Sequence, residues 1–270
     1  MIVATDLDRT VIYSRAAAGD DPPPLQCVEI YRDAPQSFVT EDAAVTWTEL
    51  ARLGVAVPTT TRTPEQLARV RLPGPAPRYA IASNGGHLLV DGVLDPSWSA
   101  RVAGRLRDCA PLAAVGERLR AVSGPFVTNL RTASDLFTYA VVDRAALPTG
   151  WTDDLAAWCA PRGWRVSVQG RKVYAVPVSL TKAAAAAELV ERLGGPLWAA
   201  GDSLLDADLL ELADAAIRPA HGELADAGFT RDHLAVTAAT GVRAGEEVLA
   251  WLHARVHEER MAPAWRSGTS

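Results

Sequence analysis

Apolar positions along the chain come in two rhythms. Short unbroken apolar runs that stop at Asp, Thr or Gly predict buried strands, and runs with apolar residues three or four apart predict helices. Residues 2–5 form the first buried run, followed at once by Asp6-Leu7-Asp8-Arg9-Thr10. Residues 27–31 and 37–40 predict two short strands around an Arg-Asp-Ala-Pro turn. Thr40 is placed to cap a helix to about residue 53, with Glu41 and Asp42 in its first turn. A second buried strand, 55–57, ends at Pro58-Thr59-Thr60, and Pro64 opens a helix predicted over 64–71. After a Pro/Gly linker, 79–82 predicts a strand halted by Ser83-Asn84-Gly85-Gly86, then a hairpin turning at Asp91-Gly92.

From about residue 100 to 177 the pattern changes. A helix over 100–121 precedes strands at 126–131 and 136–142. A helix over 152–161 precedes strands at 164–169 and 172–176, which turn at Gly170. This helix-strand-strand doublet predicts a small α+β layer. The first rhythm then returns: an alanine-rich helix over 182–193, a strand at 197–200 ending in Gly201-Asp202, a helix over 204–213, strands at 215–217 and 234–237, and a last helix over 245–256. The expected fold class is α/β, a Rossmann-like parallel sheet wound by helices, with an inserted α+β module. The expected domains are a discontinuous core of residues 1–86 and 178–260, an insert of residues 87–177, and a loose tail over 261–270.

Composition excludes some functions. The 270 residues carry a formal net charge of −5, which argues against nucleic acid or an anionic membrane as partner. No apolar run reaches the roughly 18 residues of a membrane span, and residues 1–5 have no basic leader, so the cytoplasm is the expected location. Three scattered cysteines argue against a disulfide framework or a zinc site. Among 27 basic residues only Lys172 and Lys182 are lysines, which invites a chemical reason for each.

Ligands of a parallel α/β sheet bind at the carboxyl ends of its strands. Here those ends carry Asp6-x-Asp8, Thr60, and Gly201-Asp202-Ser203-Leu204-Leu205-Asp206, with Lys182 at a nearby helix start. Two carboxylates two residues apart suit a nucleophile and a general acid. Two acidic clusters at neighbouring strand ends suit a shared Mg²⁺, a hard cation that takes oxygen ligands. A cation at a helix N-terminus opposes the helix dipole, so Lys182 is best explained by an adjacent anion. Each feature alone has a plain alternative: a helix cap, a turn threonine or a surface lysine. His253 and His257, four apart on the last helix, read as a surface pair rather than a metal site.

Taken in order, these motifs resemble those of the haloacid dehalogenase (HAD) superfamily. Asp6-Leu7-Asp8-Arg9-Thr10 is similar to its D-x-D-x-T, Thr60-Thr61-Arg62 to its second motif, Lys182 to its third, and Gly201-Asp202-x-x-x-Asp206 to its fourth. The Asn84-Gly85 turn resembles the Cof-like, sugar-phosphatase branch, and the insert between the second and third motifs resembles a C2B-type cap. Two positions depart from the pattern: Thr61 stands where glycine is usual, and Leu205 where asparagine is common.

The resemblance implies a Mg²⁺-dependent phosphatase acting through a phospho-aspartyl intermediate on a small phosphorylated metabolite, with a sugar phosphate as the leading class. Asp6 would be the nucleophile and Asp8 the acid and base, while Thr60 and Lys182 would bind phosphoryl oxygens. Asp6, Asp8 (through its carbonyl), Asp202 and Asp206 would hold the metal. Thr10, Thr61, Arg62 and Asn84 are further candidates for substrate contact. Alternation along the insert strands puts Asn129, Arg131, Arg165 and Gln169 on polar faces expected to look toward the leaving group. A phosphosugar mutase and a catalytically silent binding protein are the rival readings. Neither the particular substrate nor the oligomeric state is expressed in the sequence.

Overall fold

The computed structural model describes residues 1–261; the expected loose tail otherwise lies outside the described residues. Five short strands pair in parallel, in the order Leu234–Val236, Ala215–Arg218, Leu197–Ala200, Ile2–Thr5, Ala56–Pro58. Both central strands are buried along their whole length. Parallel strands covered on two faces can be uniformly apolar, which is why these runs show no alternation. Their side chains still divide between two cores. Ile2 and Ala4 face one, with Ala185 and Leu189 of helix Lys182–Leu193 and Leu209 of helix Ala207–Leu212. Val3 faces the other, with Trp47 and Leu50 of helix Glu41–Arg52 and Leu249 and Leu252 of helix Val242–Met261.

The inserted layer is a four-stranded antiparallel sheet in the order Trp164–Gln169, Lys172–Pro177, Phe137–Val142, Val127–Ala133. Helices Leu112–Ala121 and Trp151–Cys159 cover one face, where Val115, Leu119, Leu155 and Cys159 join Ala140, Val142, Val173 and Ala175 in the core. The other face looks toward the parallel sheet. The hairpin of its last two strands turns through Ser134, Asp135 and Leu136, the first two with positive φ. A second hairpin, Leu25–Tyr31 with Ala34–Thr40, leans over the carboxyl edge of the core and turns at Arg32 and Asp33, also with positive φ.

Several expectations are corrected. The helix over 100–121 is two helices, Pro96–Arg105 and Leu112–Ala121, because Pro111 has no N–H to continue a helix. The helix over 64–71 is one turn, Pro64–Leu67, closed by a capping box between Thr63 and Gln66; Val70 has already left to bridge Glu29. The helix over 204–213 begins only at Ala207, because 203–206 form a turn. Residues 87–105, assigned to the insert, pack with the core. Strand His87–Val90 pairs with Tyr79–Ala82, whose Ile81 bridges Thr59 of the parallel sheet. Trp98 donates its indole N–H to the Gly85 carbonyl, and Arg101 pairs with Glu188 of the core helix.

Candidate active site

The first strand of the sheet ends by delivering Asp6 into the crowded carboxyl edge. Leu7 is buried, and its carbonyl accepts N–H bonds from Thr10, Val11 and Ile12, so the chain turns back sharply and Asp8 is left facing the cleft. Arg9 sits at the turn with φ +64° and brings its Nε 3.4 Å from an Asp202 carboxylate oxygen. The Thr10 hydroxyl, fully buried, lies 3.4 Å from Asp6 Oδ2.

The start of helix Lys182–Leu193 comes from the opposite side. Thr181 caps it, accepting from the Ala184 N–H. Its position is fixed by the Asn84-Gly85 turn: the Asn84 amide donates to the Leu180 carbonyl at 2.7 Å, and a Cβ on Gly85 would fall 2.0 Å from the Thr181 carbonyl oxygen. Asn84 is itself fully buried with left-handed backbone, so it serves this junction and is not brought to the cleft as a substrate contact. The junction aims the wholly buried Lys182 ammonium between two carboxylates. It donates to Asp6 Oδ1 at 2.6 Å and to Asp206 Oδ1. Asp206 is further fixed because its Oδ2 accepts from the Ser203 N–H and hydroxyl.

Asp6, Asp202 and Asp206 each place a carboxylate oxygen within 4.8 Å of the others, and all three are buried. Close approach is bought by glycine: a Cβ at Gly201 would meet Asp206 at 2.4 Å, and one at Gly222, where φ is +95°, would meet the Asp202 carbonyl at 2.5 Å. Burial, reinforced by Asp206 and Asp8 and opposed by Lys182, pushes Asp6 up to about 7. Burial and the same crowding by Asp6 and Asp206 raise Asp202 well above the ordinary carboxylate value. Lys182 is raised as well: burial would lower it, but Asp206 and Asp6 hold it protonated. Lys182 between Asp6 and Asp206 and the partly exposed Arg9 beside Asp202 leave the three carboxylates in excess, and hard oxygen donors so arranged fit a divalent cation.

Asp8 behaves differently. Burial would raise it, but Arg62 grips it with two hydrogen bonds, Nε to Oδ2 at 2.7 Å and Nη2 to Oδ1 at 2.8 Å, and holds it below the usual carboxylate range. Arg62 is in turn held by Glu29 of the hairpin, Nη1 to Oε2 at 2.8 Å, and Glu29 also accepts from Ser37 and Arg69. Arg62 was expected at the substrate; its donors are taken up by Asp8, Glu29 and Ser37. Thr60 is buried, and its hydroxyl accepts the Arg62 N–H at 3.1 Å. Thr61, at the position where glycine is usual in the resemblance, is buried against Tyr174 of the cap. Leu205, the other departure, lies in the core cluster.

No family model and no curated protein matches the chain. Solved structures do match over nearly all of it. A sucrose-phosphatase from Synechocystis sp. PCC6803, solved with sucrose and phosphate, aligns at TM-score 0.65 and 15% identity, covering 93% of this chain and 97% of that one. A trehalose-6-phosphate phosphatase related protein aligns at 0.57 and 15%, covering 96% and 100%. A HAD superfamily phosphatase from Bacteroides thetaiotaomicron aligns at 0.53 and 13%, covering 94% and 95%. The fold is that of the HAD phosphatases.

In this HAD-type fold the inserted sheet is the cap. Cross-strand register places Gln169, Lys172, Val141 and Asn129 in one row across its inner face, and Ser167, Tyr174, Tyr139 and Arg131 in the next. The expectation of a shared inward face therefore extends across all four strands, but its two edges do different things. Along strand Trp164–Gln169 the polar side chains dock on the core. Arg165 pairs with Asp208 at 3.0 Å, Ser167 donates to Glu223 at 2.6 Å, and Gln169 donates to the Ser203 hydroxyl at 2.8 Å. Arg165 is thus a domain contact and does not face a leaving group. Along strand Val127–Ala133, Asn129 and Arg131 line an open cavity of about 760 Å³ that also reaches Asp8 and Arg62. A smaller cavity of about 450 Å³, on the other side of Asp8, is lined by Gln169, Lys172, Arg9 and Asp202.

Sequence reasoning did not assign Lys172, Glu29 or Gly222 to the site. The rarity of lysine was the signal for Lys172. For Gly222 the signal was a His-Gly pair just past a buried strand. Nothing local distinguishes Glu29 from any other hairpin acid. His253 and His257 approach to 3.1 Å, with Glu49 2.9 Å from His253. The one group of three or more metal-ligating side chains among the described residues is the aspartate cluster.

Proposed function

We propose that the chain is a Mg²⁺-dependent phosphomonoesterase that forms a phospho-aspartyl intermediate on Asp6 and acts on a small phosphorylated metabolite of the sugar-phosphate class. The observation that carries this reading is the buried Lys182 ammonium bridging Asp6 and Asp206, with Asp202 beside them and Asp8 turned to the cleft. Asp6, Asp202, Asp206 and the Asp8 carbonyl would hold the cation, which when bound supplies positive charge against both the carboxylate and the phosphoryl oxygens. The sucrose-phosphatase and the trehalose-6-phosphate phosphatase related protein support the sugar-phosphate class by fold.

In the first step an Asp6 oxygen bonds to phosphorus as the ester P–O bond breaks, and Asp8, after taking up a proton from solvent against the hold of Arg62, gives that proton to the departing oxygen. In the second step Asp8 takes a proton from water, the water oxygen bonds to phosphorus, and the Asp6 carboxylate leaves with phosphate released. Lys182 stays charged throughout and holds Asp6 in place; the Thr60 hydroxyl, just past the end of the neighbouring strand, accepts the Arg62 N–H and keeps its own proton to donate to a phosphoryl oxygen. The Arg62 grip keeps Asp8 ionised in the free protein, the form the second step uses.

The test is phosphate release from a panel of phosphorylated metabolites, with Mg²⁺ and with chelator, for the wild type and Asp6→Asn. Free phosphate, rather than an isomeric sugar phosphate, separates this reading from a mutase. Asp6→Asn should release none while keeping the wild-type circular dichroism spectrum. Wild-type turnover in that variant would refute the nucleophile assignment.

A further inference from the structure

The cavity side of the cap carries three cations that have no carboxylate partner within 4.0 Å among the described residues, although the chain as a whole is acidic. They are Arg131, Arg171 and Lys172, and all three line the cavity of about 760 Å³ that reaches Asp8. Of the three acids lining that cavity, Asp8 is paired with Arg62 and Glu29 with Arg62 and Arg69, which leaves Glu65 against the three cations. Lys172 is the most constrained of the three. It is only partly exposed, and its ammonium sits 5.8 Å from the centre of the Tyr139 ring, on the cleft side of the sheet. Arg131 lies cross-strand from Tyr139 on the same face. Positive charge concentrated at one cleft in an acidic protein selects for an anion there. This charge is separate from the Lys182 site, which lies under the aspartate cluster and is fully buried.

We infer that the leaving group of the substrate carries a second anionic group, a phosphate or a carboxylate, seated on Lys172, Arg131 and Arg171. The Asn129 amide and Thr132 hydroxyl lining the same cavity suit the hydroxyls of a polyol between the two anions. A substrate of this class is a sugar bisphosphate or a phosphorylated sugar acid. The inference rests on the phosphatase reading above and narrows it.

The experiment compares matched pairs by phosphate release. One pair is a hexose monophosphate and its bisphosphate; the other is an aldose phosphate and the corresponding aldonate phosphate. The two pairs distinguish phosphate from carboxylate as the second anion. In at least one pair the doubly charged member should have kcat/KM roughly tenfold or more above its partner, mostly through KM, the size of one charge-assisted hydrogen bond. Lys172→Gln and Arg131→Gln should each reduce that ratio, Lys172→Arg should keep most of it, and added salt should shrink it. If wild type releases phosphate from both members of both pairs with ratios near one or below, the second-anion inference is overturned and the phosphatase reading stands. A ratio untouched by both glutamine variants overturns the assignment to these residues. Release from no member, with none from p-nitrophenyl phosphate, overturns the phosphatase reading and this inference with it.

Discussion

Replacing Lys182 with methionine isolates what the buried ammonium does for the fold. Methionine keeps an unbranched side chain of similar length and removes the charge. The ammonium donates to Asp6 and Asp206 and is 0% exposed, as is Asp206. Asp6 already sits near 7 and takes up a proton at little cost at neutral pH. Asp206 is wholly buried and its second oxygen is committed to the Ser203 N–H and hydroxyl, so the loss of the ammonium is felt mainly there. Breaking a buried ion pair by removing one partner costs about 3–5 kcal/mol. At about 2–4 °C per kcal/mol for a chain of this size, the midpoint should fall by roughly 6–20 °C. The assay is differential scanning calorimetry in EDTA at neutral pH. Adding Asp206→Asn to Lys182→Met should recover a good part of the loss, because the stranded charge is then gone. A Lys182→Met midpoint within about 2 °C of wild type would refute the reasoning, and so would a double variant less stable than the single one.

Asp8→Asn should lower turnover by about 10² to 10⁴-fold on esters with poor leaving groups, and a drop under about threefold would remove Asp8 from acid-base work. Arg62→Gln removes the partner that holds Asp8 low, so Asp8 should titrate at higher pH; the alkaline fall in turnover on poor leaving groups should move upward, and an unmoved pH–rate profile would contradict it. Glu223 sits between core and cap and titrates above the ordinary glutamate value through burial, against hydrogen bonds from Ser167, Val168 and Leu204. Its folded value exceeds its unfolded one, so its contribution is full below the unfolded value of about 4.5 and is lost as pH rises through the folded value. Thermal midpoints should therefore fall over that window more steeply in wild type than in Glu223→Gln, and parallel curves would count against a buried, raised Glu223.

The carboxyl edge of the sheet was legible because Asp6, Thr60 and Asp202 each follow an apolar run that reads as a buried strand. Asp6 and Asp202 end two adjacent strands, so their convergence follows from topology alone. The alternation that put Asn129, Arg131, Arg165 and Gln169 on one face was also legible, since period-two patterning survives in an antiparallel sheet. What that face meets was not, because Arg165 on Asp208 and Ser167 on Glu223 are contacts 43 and 56 residues apart in the chain. The Arg62–Asp8 fork spans 54 residues and was hidden for the same reason. The run from 100 to 121 misled because its helical spacing continues across Pro111, where the backbone cannot.

The two edges of the cap sheet are not equivalent in how they meet the core. One edge strand is hydrogen-bonded to the core at Ser203, Asp208 and Glu223, while the opposite edge stands over open space along Asn129 and Arg131 and meets the core only past its end, where the Ser134 hydroxyl pairs with that of Ser83. Access is therefore lopsided: a bulky group extending outward past Asn129 leaves the Ser167, Arg165 and Gln169 bonds intact, whereas anything pushed toward Ser167 must first unfasten them. Under the proposed phosphatase reading, tolerance for substrate size then has a direction, set by which strand is tied down.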